Sequence, residues 1–259
     1  MQAGGFSGKH KAATRQRRSA PAPTDFRGRL YERYVSTFKA EHSAGADGSA
    51  AWWDHKFLPL LDDLDRSAPI LDVGCGGGGL LVYLGRRGFS HATGIDISAE
   101  QVAIAQQRGV AATVADAFEF LAQHADHFQA IVAVDVLEHF TRDELFHLAP
   151  LLSAALRPGG RLLVQTANGA GLFPGQVIYG GLTHMTIFTP QTLAQLLRPH
   201  GFDAFTFSET GPIPLRLRGR LDVAMWGAIK AAVNLVRYVE TGKRQAIWTE
   251  NFICRAFKQ

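Results

Sequence analysis

Short apolar runs alternate along this chain with longer stretches in which apolar residues recur at helical spacing. The apolar runs predict seven strands, at residues 70–73, 92–95, 111–114, 130–134, 161–165, 202–207 and 251–257. The stretches between most of these strands predict helices. Such alternation is typical of a doubly wound α/β fold, in which helices cover both faces of a mostly parallel sheet.

Capping residues mark where several of these helices begin and end. Ser98 stands three residues before Gln101, and Thr141 stands three residues before Glu144, which is the spacing of a capping box. Pro158 is followed by two glycines, and this run predicts a stop for the helix that begins after Thr141. The capping residues therefore agree with the boundaries that the apolar periodicity predicts.

Five segments are predicted along the chain. Residues 1–24 are expected to form a disordered basic tail, and residues 25–66 are expected to form N-terminal cap helices. Residues 67–210 form the predicted core, residues 211–248 a helical insertion, and residues 249–259 the final strand of the core. The helix of the insertion has a wide apolar arc. This arc would suit a substrate lid, a dimer contact, an interfacial helix at an anionic membrane, or an additional packed helix.

Composition and charge narrow the functional classes. The chain has 259 residues, of which 46% are hydrophobic and 19% are charged, as in an ordinary globular protein. Five lysines and arginines precede the first acid and give the tail a charge of +5. Since the whole chain carries +4, the remainder carries −1. A core of that charge argues against a nucleic-acid groove, so we expect no nucleic-acid partner there.

The cysteine content and the length of the apolar runs indicate a cellular location. Two cysteines form no disulfide framework, and no uninterrupted apolar run reaches the roughly 18 residues of a membrane span. We therefore expect a cytoplasmic protein with reduced thiols. The basic and apolar residues of segment 216–239 leave open a peripheral contact with the inner membrane and a homodimer contact.

A glycine-rich turn follows the first predicted strand. Gly74, Gly76 and Gly79 have the spacing of the dinucleotide-binding fingerprint, and Asp96 follows about 20 residues later. Asp72 stands in the strand just ahead of the glycines, where its carboxylate would repel a pyrophosphate in a partly desolvated site. A ligand with a sulfonium and an amino group would be favoured. The pattern therefore predicts S-adenosylmethionine in preference to a nicotinamide or flavin dinucleotide.

Five short motifs extend this interpretation. The chain carries, in order, D-V-G-C-G-G-G, G-I-D-I-S, A-D-A-F, V-D-V-L-E-H-F and R-P-G-G-R-L-L-V. Over roughly residues 69–166 it resembles class I S-adenosylmethionine-dependent methyltransferases. The resemblance implies a seven-stranded Rossmann-like sheet whose last strand is antiparallel. The later V-E-T-G and T-E-N-F runs are similar to those of bacterial methyltransferases associated with polysaccharide biosynthesis.

The cofactor is predicted to lie beyond the carboxyl ends of the first four strands, as ligands of open α/β sheets do. Asp96 would accept both ribose hydroxyls, because a carboxylate has two acceptor oxygens for a vicinal diol. The other predicted contacts are Asp72, Gly74 and Gly76 for the methionine part, Ile97, Asp116 and Ala117 for the adenine, and Asp135, Val136 and Leu137 beside the transferable methyl.

Two histidines are candidates for the base that takes a proton from the acceptor. His139 follows Asp135 and Glu138, and His184 lies in the long glycine-rich connection at residues 168–188. Histidine suits this role because imidazole ordinarily titrates near neutral pH. Either residue could instead serve only the local structure, His139 as a helix cap and His184 as part of its loop. Asp135, Glu138 and His139 could hold a divalent cation, but with no clear fourth ligand we predict no metal site.

The acceptor is predicted to carry a hydroxyl group. The leading hypothesis is O-methylation of a sugar hydroxyl on a glycan or glycan precursor. The alternative is O-methylation of a small aromatic, quinone-type or natural-product acceptor, and a third hypothesis is a partner subunit that binds the cofactor without turnover. An Asn-Pro-Pro-Tyr-type sequence for amine acceptors is absent from V-D-V-L-E-H. Neither cysteine follows a proline, which argues against cytosine C5 chemistry.

Overall fold

The structure is a computed structural model that describes residues 50–259. The predictions of a disordered tail at residues 1–24 and of a helix at residues 25–38 lie outside the described residues. The first described element is helix α1, Ala50–Lys56, followed by a 3-10 turn at Leu58–Leu60. The indole of Trp53 and the ring of Phe57 pack edge to face there, with centroids 4.7 Å apart.

The strands form one seven-stranded sheet with the order β3-β2-β1-β4-β5-β7-β6. β7 pairs antiparallel with both of its neighbours, while the described pairs among the first five strands are parallel. This confirms the predicted fold class, including the antiparallel last strand. The strands are β1 Ile70–Val73, β2 Ala92–Asp96, β3 Ala111–Val114, β4 Phe128–Val134, β5 Leu156–Ala167, β6 Phe202–Glu209 and β7 Asn251–Lys258.

Helices connect consecutive strands, as the periodicity predicts. Thr141 and Glu144 form a complete capping box, and the Ser98 hydroxyl accepts the Gln101 N–H at 3.5 Å. The remaining helices are α2 Gly79–Arg86, α3 Ala99–Gln107, α4 Ala117–Ala122, α5 Arg142–Ala155, α6 Pro174–Tyr179, α7 Pro190–Leu197 and α8 Leu217–Thr241.

The two largest hydrophobic cores of the described residues lie on opposite faces of the sheet. Side chains of a strand alternate between its faces, so Leu162 and Val164 enter one core and Leu163 enters the other. The first core contains residues of α5 and α7, and the second contains residues of α2 and of the segment after α1. The sheet is therefore covered on both sides, and the carboxyl ends of its parallel strands meet at one edge.

Two strands begin earlier than the sequence predicts. β4 begins at Phe128 instead of residue 130, and β5 begins at Leu156 instead of residue 161. Phe128 pairs with Leu156, and the register then shifts before Ala130 pairs with Arg161. The Pro-Gly-Gly run that was expected to separate helix from strand therefore lies inside an irregular part of β5. Pairing with a neighbouring strand is a non-local property, which apolar periodicity does not reveal.

The insertion between the last two strands is the single long helix α8. It contains no buried residue, and hydrogen bonds join it to the core. The Glu209 carboxylate accepts hydrogen bonds from the Trp226 indole at 3.1 Å and from Lys230 at 2.6 Å. Asn234 and Gln245 exchange two more hydrogen bonds at the far end. Within residues 50–259, no helix combines the length and the apolarity that a bilayer crossing requires.

The central strand β5 provides a direct test of this architecture. Replacing the fully buried Leu163 by alanine removes packing in the second core, so we expect a loss of about 2–5 kcal/mol in the free energy of unfolding. The control, Leu235→Ala on the exposed side of α8, should change that free energy by less than about 0.5 kcal/mol. Urea denaturation followed by circular dichroism measures both variants. Equal effects would contradict the two-core description.

Candidate functional site

A cavity of about 980 Å³ lies at the edge of the sheet where β1, β2 and β4 end. It contains the glycine-rich turn, the residues after β2 and β4, and part of the connection between β5 and α7. Seven acidic side chains and one arginine, Arg108, line it. The charge of this wall favours a cationic ligand over one with a pyrophosphate group.

The turn after β1 depends on its glycines. Gly74 has a φ of +70°, and a Cβ at this position would lie 2.5 Å from a methyl carbon of Val136. Gly76, with a φ of +52°, donates its N–H to the Asp96 carboxylate at 2.9 Å. The turn is therefore in close contact with the residues after β4 and is tied to the end of β2. It leaves backbone atoms exposed to the cavity, where a ligand can approach them closely.

Asp72 is only 2% exposed, beneath the glycine-rich turn. Burial, together with the charge of Asp96, raises the pKa of the Asp72 carboxyl to about 8. Without a ligand, this side chain is therefore mainly protonated at neutral pH. The sequence argument treated it as a carboxylate, and the structure adds that a nearby cation is required to ionise it.

Asp96 is held by two backbone hydrogen bonds, one to each carboxylate oxygen. Oδ2 accepts the Gly76 N–H, and Oδ1 accepts the Ser98 N–H at 2.8 Å. Each carboxylate oxygen can accept more than one hydrogen bond, so this orientation is compatible with a ribose diol. The next residue, Ile97, lines the cavity with 54% of its surface exposed, which provides an apolar surface for a planar ring.

The other predicted adenine contacts have a structural role as well. Asp116 and Ala117 both line the cavity at the start of α4. Oδ1 of Asp116 accepts the N–H groups of Phe118 and Glu119, at 2.8 and 3.2 Å, and caps the helix. Oδ1 of this carboxylate therefore stabilises the start of the helix. The other oxygen, Oδ2, is chemically suited to accept a hydrogen bond from an amino group.

Leu137 departs from the prediction for the residues beside the methyl group. Its side chain is 1% exposed and packs in the first core, so it does not line the cavity. A 3-10 turn spans Leu137–His139 after β4. Val136 on one side and Glu138 and His139 on the other face the cavity instead.

Asp135 adopts an unusual backbone conformation that two amide side chains support. Its φ is +53°, which is uncommon for a residue other than glycine. Gln165 donates its side-chain N–H groups to both carboxylate oxygens, at 3.1 and 3.2 Å, and Asn251 donates to Oδ1 at 3.1 Å. The carboxylate is therefore fixed at the cavity wall by residues of β5 and β7. Backbone conformations of this kind often occur at functional sites.

The two candidate histidines lie side by side, although 45 positions separate them in sequence. Their ring centroids are 5.2 Å apart, and both rings line the cavity. Nδ1 of His139 lies 3.2 Å from the carbonyl oxygen of Thr183, and Nδ1 of His184 lies 2.7 Å from that of Val177. A carbonyl only accepts, so in the neutral ring Nδ1 carries the proton and Nε2 carries the lone pair.

Glu138 lies beside these rings and is 2% exposed. Its carboxylate accepts a hydrogen bond from the Thr166 hydroxyl at 2.9 Å. Burial, with the charge of Asp135 adding to it, raises the pKa of the Glu138 carboxyl to about 8. Glu138, His139 and His184 together form a compact group of titratable side chains at the cavity wall, which we call the Glu–His–His cluster.

Sequence reasoning missed several residues of the cavity wall. Gln165 lies in the predicted strand at residues 161–165 and Trp53 in the predicted cap helices at residues 25–66, and the sequence predicts a site role for neither. Trp53 lines the cavity and also stacks on Tyr83, with ring centroids 6.0 Å apart, so it contributes both to the cavity wall and to the packing of α1. Asn251 stands in the T-E-N-F run, which had been noticed as a resemblance but given no chemical role. That run was the signal available for it.

Comparison with known proteins identifies relatives by sequence. A family described as "Methyltransferase domain" matches residues 49–206. A mitochondrial ubiquinone biosynthesis O-methyltransferase of Rattus norvegicus is 33% identical over 218 residues, covering 66% of this chain and 60% of the rat protein. The ubiquinone biosynthesis O-methyltransferase of Xylella fastidiosa is 28% identical over 223 residues, covering 74% of this chain and 89% of the bacterial protein. The match thus spans somewhat less than two thirds of the rat relative.

Solved structures share the fold at low sequence identity. A methyltransferase of Archaeoglobus fulgidus, described as S-adenosylmethionine-dependent, has a TM-score of 0.62 and 17% identity, and the match covers 88% of this chain and 98% of that one. Phosphoethanolamine N-methyltransferase 2 of Haemonchus contortus, in complex with S-adenosylmethionine, has a TM-score of 0.56 and 14% identity, covering 88% of this chain and 60% of that one. These similarities support the fold.

The buried Asp72 predicts a specific dependence of stability on pH. Its pKa rises from 3.8 in the unfolded chain to about 8 in the folded protein, so between these values the folded state retains a proton that the unfolded state has lost. The free energy of unfolding should therefore fall as pH rises from about 4 to 8, by up to about 1.4 kcal/mol per pH unit relative to Asp72→Asn. Urea denaturation across this pH range measures the difference.

The exposed Asp143→Asn variant is the matched control for that experiment. Its stability should follow that of the unmodified protein at every pH. If the unmodified protein and Asp72→Asn had parallel stability curves, Asp72 would not carry the buried proton.

Proposed function

The chain belongs to the family of S-adenosylmethionine-dependent methyltransferases, and from this we propose that it methylates a hydroxyl group on a small aromatic, quinone-type acceptor. The observation that carries the proposal is the Glu–His–His cluster on the wall of an acidic cavity. O-methyl transfer needs such a group, because a hydroxyl must lose a proton as its oxygen attacks the methyl carbon. The names of the curated relatives support the same reaction type.

We propose that the cofactor binds along the residues after β1, β2 and β3. Asp72, Gly74 and Gly76 would contact the methionine part, and Asp96 would hold the ribose. The adenine would lie on Ile97, with its amino group donating to Asp116 and its ring accepting the Ala117 N–H. The acidic lining supports this placement, because the sulfonium and ammonium groups of the cofactor are positive and can keep Asp72 ionised.

The transferable methyl group would lie beside Asp135 and Val136. Methyl transfer is an in-line displacement, so alignment of the acceptor oxygen with the methyl–sulfur bond supplies much of the rate enhancement. Asp135 is suited to orienting the acceptor, because the amides of Gln165 and Asn251 fix its carboxylate. His139 or His184 would take the proton at Nε2, and S-adenosylhomocysteine would leave as the carbon–sulfur bond breaks.

The relatives favour a quinone-type acceptor over the sugar acceptor that sequence analysis placed first. The reported curated relatives carry ubiquinone names, and none of them supports the similarity to polysaccharide-associated methyltransferases. The cavity supports the same choice, because a nucleotide sugar carries a pyrophosphate that its acidic lining would repel. The intact Glu–His–His cluster favours turnover over the hypothesis of a non-catalytic partner subunit.

The cytoplasmic location, the peripheral membrane contact and the homodimer contact remain predictions. The arginines before α8 and the exposed apolar residues Leu217, Leu235 and Val239 are compatible with peripheral contact at a membrane that holds an apolar acceptor. The same residues are compatible with a homodimer contact.

Cofactor identity can be tested by thermal denaturation with added ligands. S-adenosylhomocysteine should raise the midpoint of unfolding, whereas NAD should leave it unchanged. Asp96→Ala should weaken S-adenosylhomocysteine binding by about 10- to 100-fold, because it removes charged acceptors of two ribose hydrogen bonds. Asp143→Ala is the surface control and should bind normally. Stabilisation by NAD alone, or normal binding by a folded Asp96→Ala variant, would reject the proposed cofactor site.

Acceptor class can be tested with a methyl-transfer assay on matched substrates. A catechol with an alkyl side chain should be methylated, whereas a nucleotide sugar and a free hexose should give little or no product. Mass spectrometry of the products measures the methylation of each substrate. Methylation of the sugars alone would restore the sugar hypothesis and reject the quinone-type one.

A further inference from the structure

A second, smaller cavity of about 360 Å³ lies between α1, the end of β6 and α8. Its described lining includes Lys56 of α1, Glu209 at the end of β6, and Trp226 and Lys230 of α8. We call this cavity the lysine pocket. Among the described residues, it shares no lining residue with the larger cavity at the strand ends. The lysine pocket is therefore a separate candidate site.

The two lysines of this pocket converge on one glutamate. Lys230 Nζ forms an ion pair with the Glu209 carboxylate at 2.6 Å, whereas Lys56 Nζ donates to the Glu209 backbone carbonyl at 2.9 Å. The Trp226 indole and the Trp248 backbone N–H donate to the same carboxylate, at 3.1 and 2.8 Å. Glu209 is the one acid among the described residues of this lining. One of the two ammonium charges is therefore not matched by a carboxylate there.

The surroundings of Lys56 favour an approaching anion. Its side chain is half-buried beside the pocket. Burial lowers the pKa of the Lys56 ammonium below its usual value, the charge of Glu209 opposes this change, and the charge of Lys230 adds to it. An anion nearby would stabilise the charged ammonium. A lysine ammonium has three N–H groups, and the Glu209 carbonyl accepts one of them, so donors remain for a ligand.

The lining beside the lysines is mainly apolar. Its apolar members are Pro212, Pro214, Val223 and Trp226. Gly227 of α8 lines the pocket as well, and a Cβ at this position would meet no atom within 4 Å. The helix thus leaves open space on this side. A cationic group next to an apolar surface is the combination that holds a small organic anion.

The two cavities have opposite electrostatic character. Seven acidic side chains and Arg108 line the larger cavity, which therefore favours a cation. In the lysine pocket, two ammonium groups face one carboxylate among the described lining residues. We therefore expect an organic anion to be repelled by the larger cavity and attracted by the lysine pocket.

We propose that the lysine pocket binds a small organic carboxylate that carries one negative charge. Its oxygens would accept hydrogen bonds from Lys56 and Lys230, and its apolar body would lie against Trp226 and Val223. A single charge matches the one ammonium that Glu209 does not neutralise. A phosphate monoester, which is mainly doubly charged at neutral pH, would exceed this match. The binding site does not depend on the proposed methyl-transfer function.

Benzoate, benzamide and acetate test this proposal on the full chain. Benzoate and benzamide have nearly the same shape and differ in charge, whereas acetate has the charge without the ring. We expect benzoate to bind with a dissociation constant in the millimolar range or below, and the other two to bind at least about tenfold more weakly. Titration followed by ligand-observed NMR measures the three affinities. Absence of benzoate binding, or equal affinity for benzoate and either of the other two, would overturn the proposal.

Matched lysine variants locate the bound carboxylate. Lys56→Met and Lys230→Met each remove one ammonium from the pocket and should each weaken benzoate binding at least about tenfold. Lys243→Met removes the same charge at an exposed position after α8 and should bind benzoate normally. Circular dichroism establishes that each variant is folded. If Lys230→Met does not fold because Glu209 loses its ion pair, Lys56→Met decides the question. Unchanged benzoate binding in a folded Lys56→Met variant would overturn the assignment.

A variant of the larger cavity provides the complementary control. His184→Ala changes the wall of that cavity and should leave benzoate binding unchanged. Loss of benzoate binding in a folded His184→Ala variant would place the carboxylate in the larger cavity and would also overturn the assignment.

Discussion

The carboxyl ends of the parallel strands meet at one edge of the sheet, and the cavity depends on this constraint. Asp72, Asp96, Asp116 and Asp135 belong to or follow four different strands, yet they line one cavity because those strands run in the same direction. Their acidic side chains lie together where the glycine-rich turn exposes backbone atoms, and Asp72 among them stays mainly protonated until a cation binds. In the proposed site, a cationic cofactor would be attracted by these acidic groups, whereas a pyrophosphate would be repelled by them. The acidic character of the cavity therefore follows from strand direction and from the residues that end each strand.

The part of the cavity wall that carries the two histidines and Asp135 depends on contacts between distant parts of the chain. The loop before α7 is hydrogen-bonded to the turn after β4, which places His184 against His139 and Glu138. Gln165 and Asn251 hold Asp135 from β5 and β7. The antiparallel last strand thus contributes directly to the site. Under the proposed function, cofactor binding and acceptor activation would take place in this one cavity, which would bring the methyl donor and the proton acceptor together.

Local patterns in the sequence predict most of the fold and many of the residues that line the cavity. Strand β1 and the residues that end β2 were predicted correctly because apolar runs and glycine turns are local signals. The start of β5 and the burial of Leu137 were not, because both depend on pairing and packing with distant residues. The contact between His184 and His139 was not predicted either, because it also depends on packing between distant residues. Acceptor class was least predictable, since motifs that bind the cofactor say little about the second substrate.

The central claim is that a buried acid selects the positively charged methyl donor, and proton release on binding tests it most directly. Titration calorimetry of S-adenosylmethionine at about pH 6.5, in two buffers with different heats of ionisation, counts the protons released. Because the pKa of Asp72 is about 8 without ligand, we predict release of nearly one proton, and none from Asp72→Asn. Binding by the unmodified protein without proton release would contradict the account.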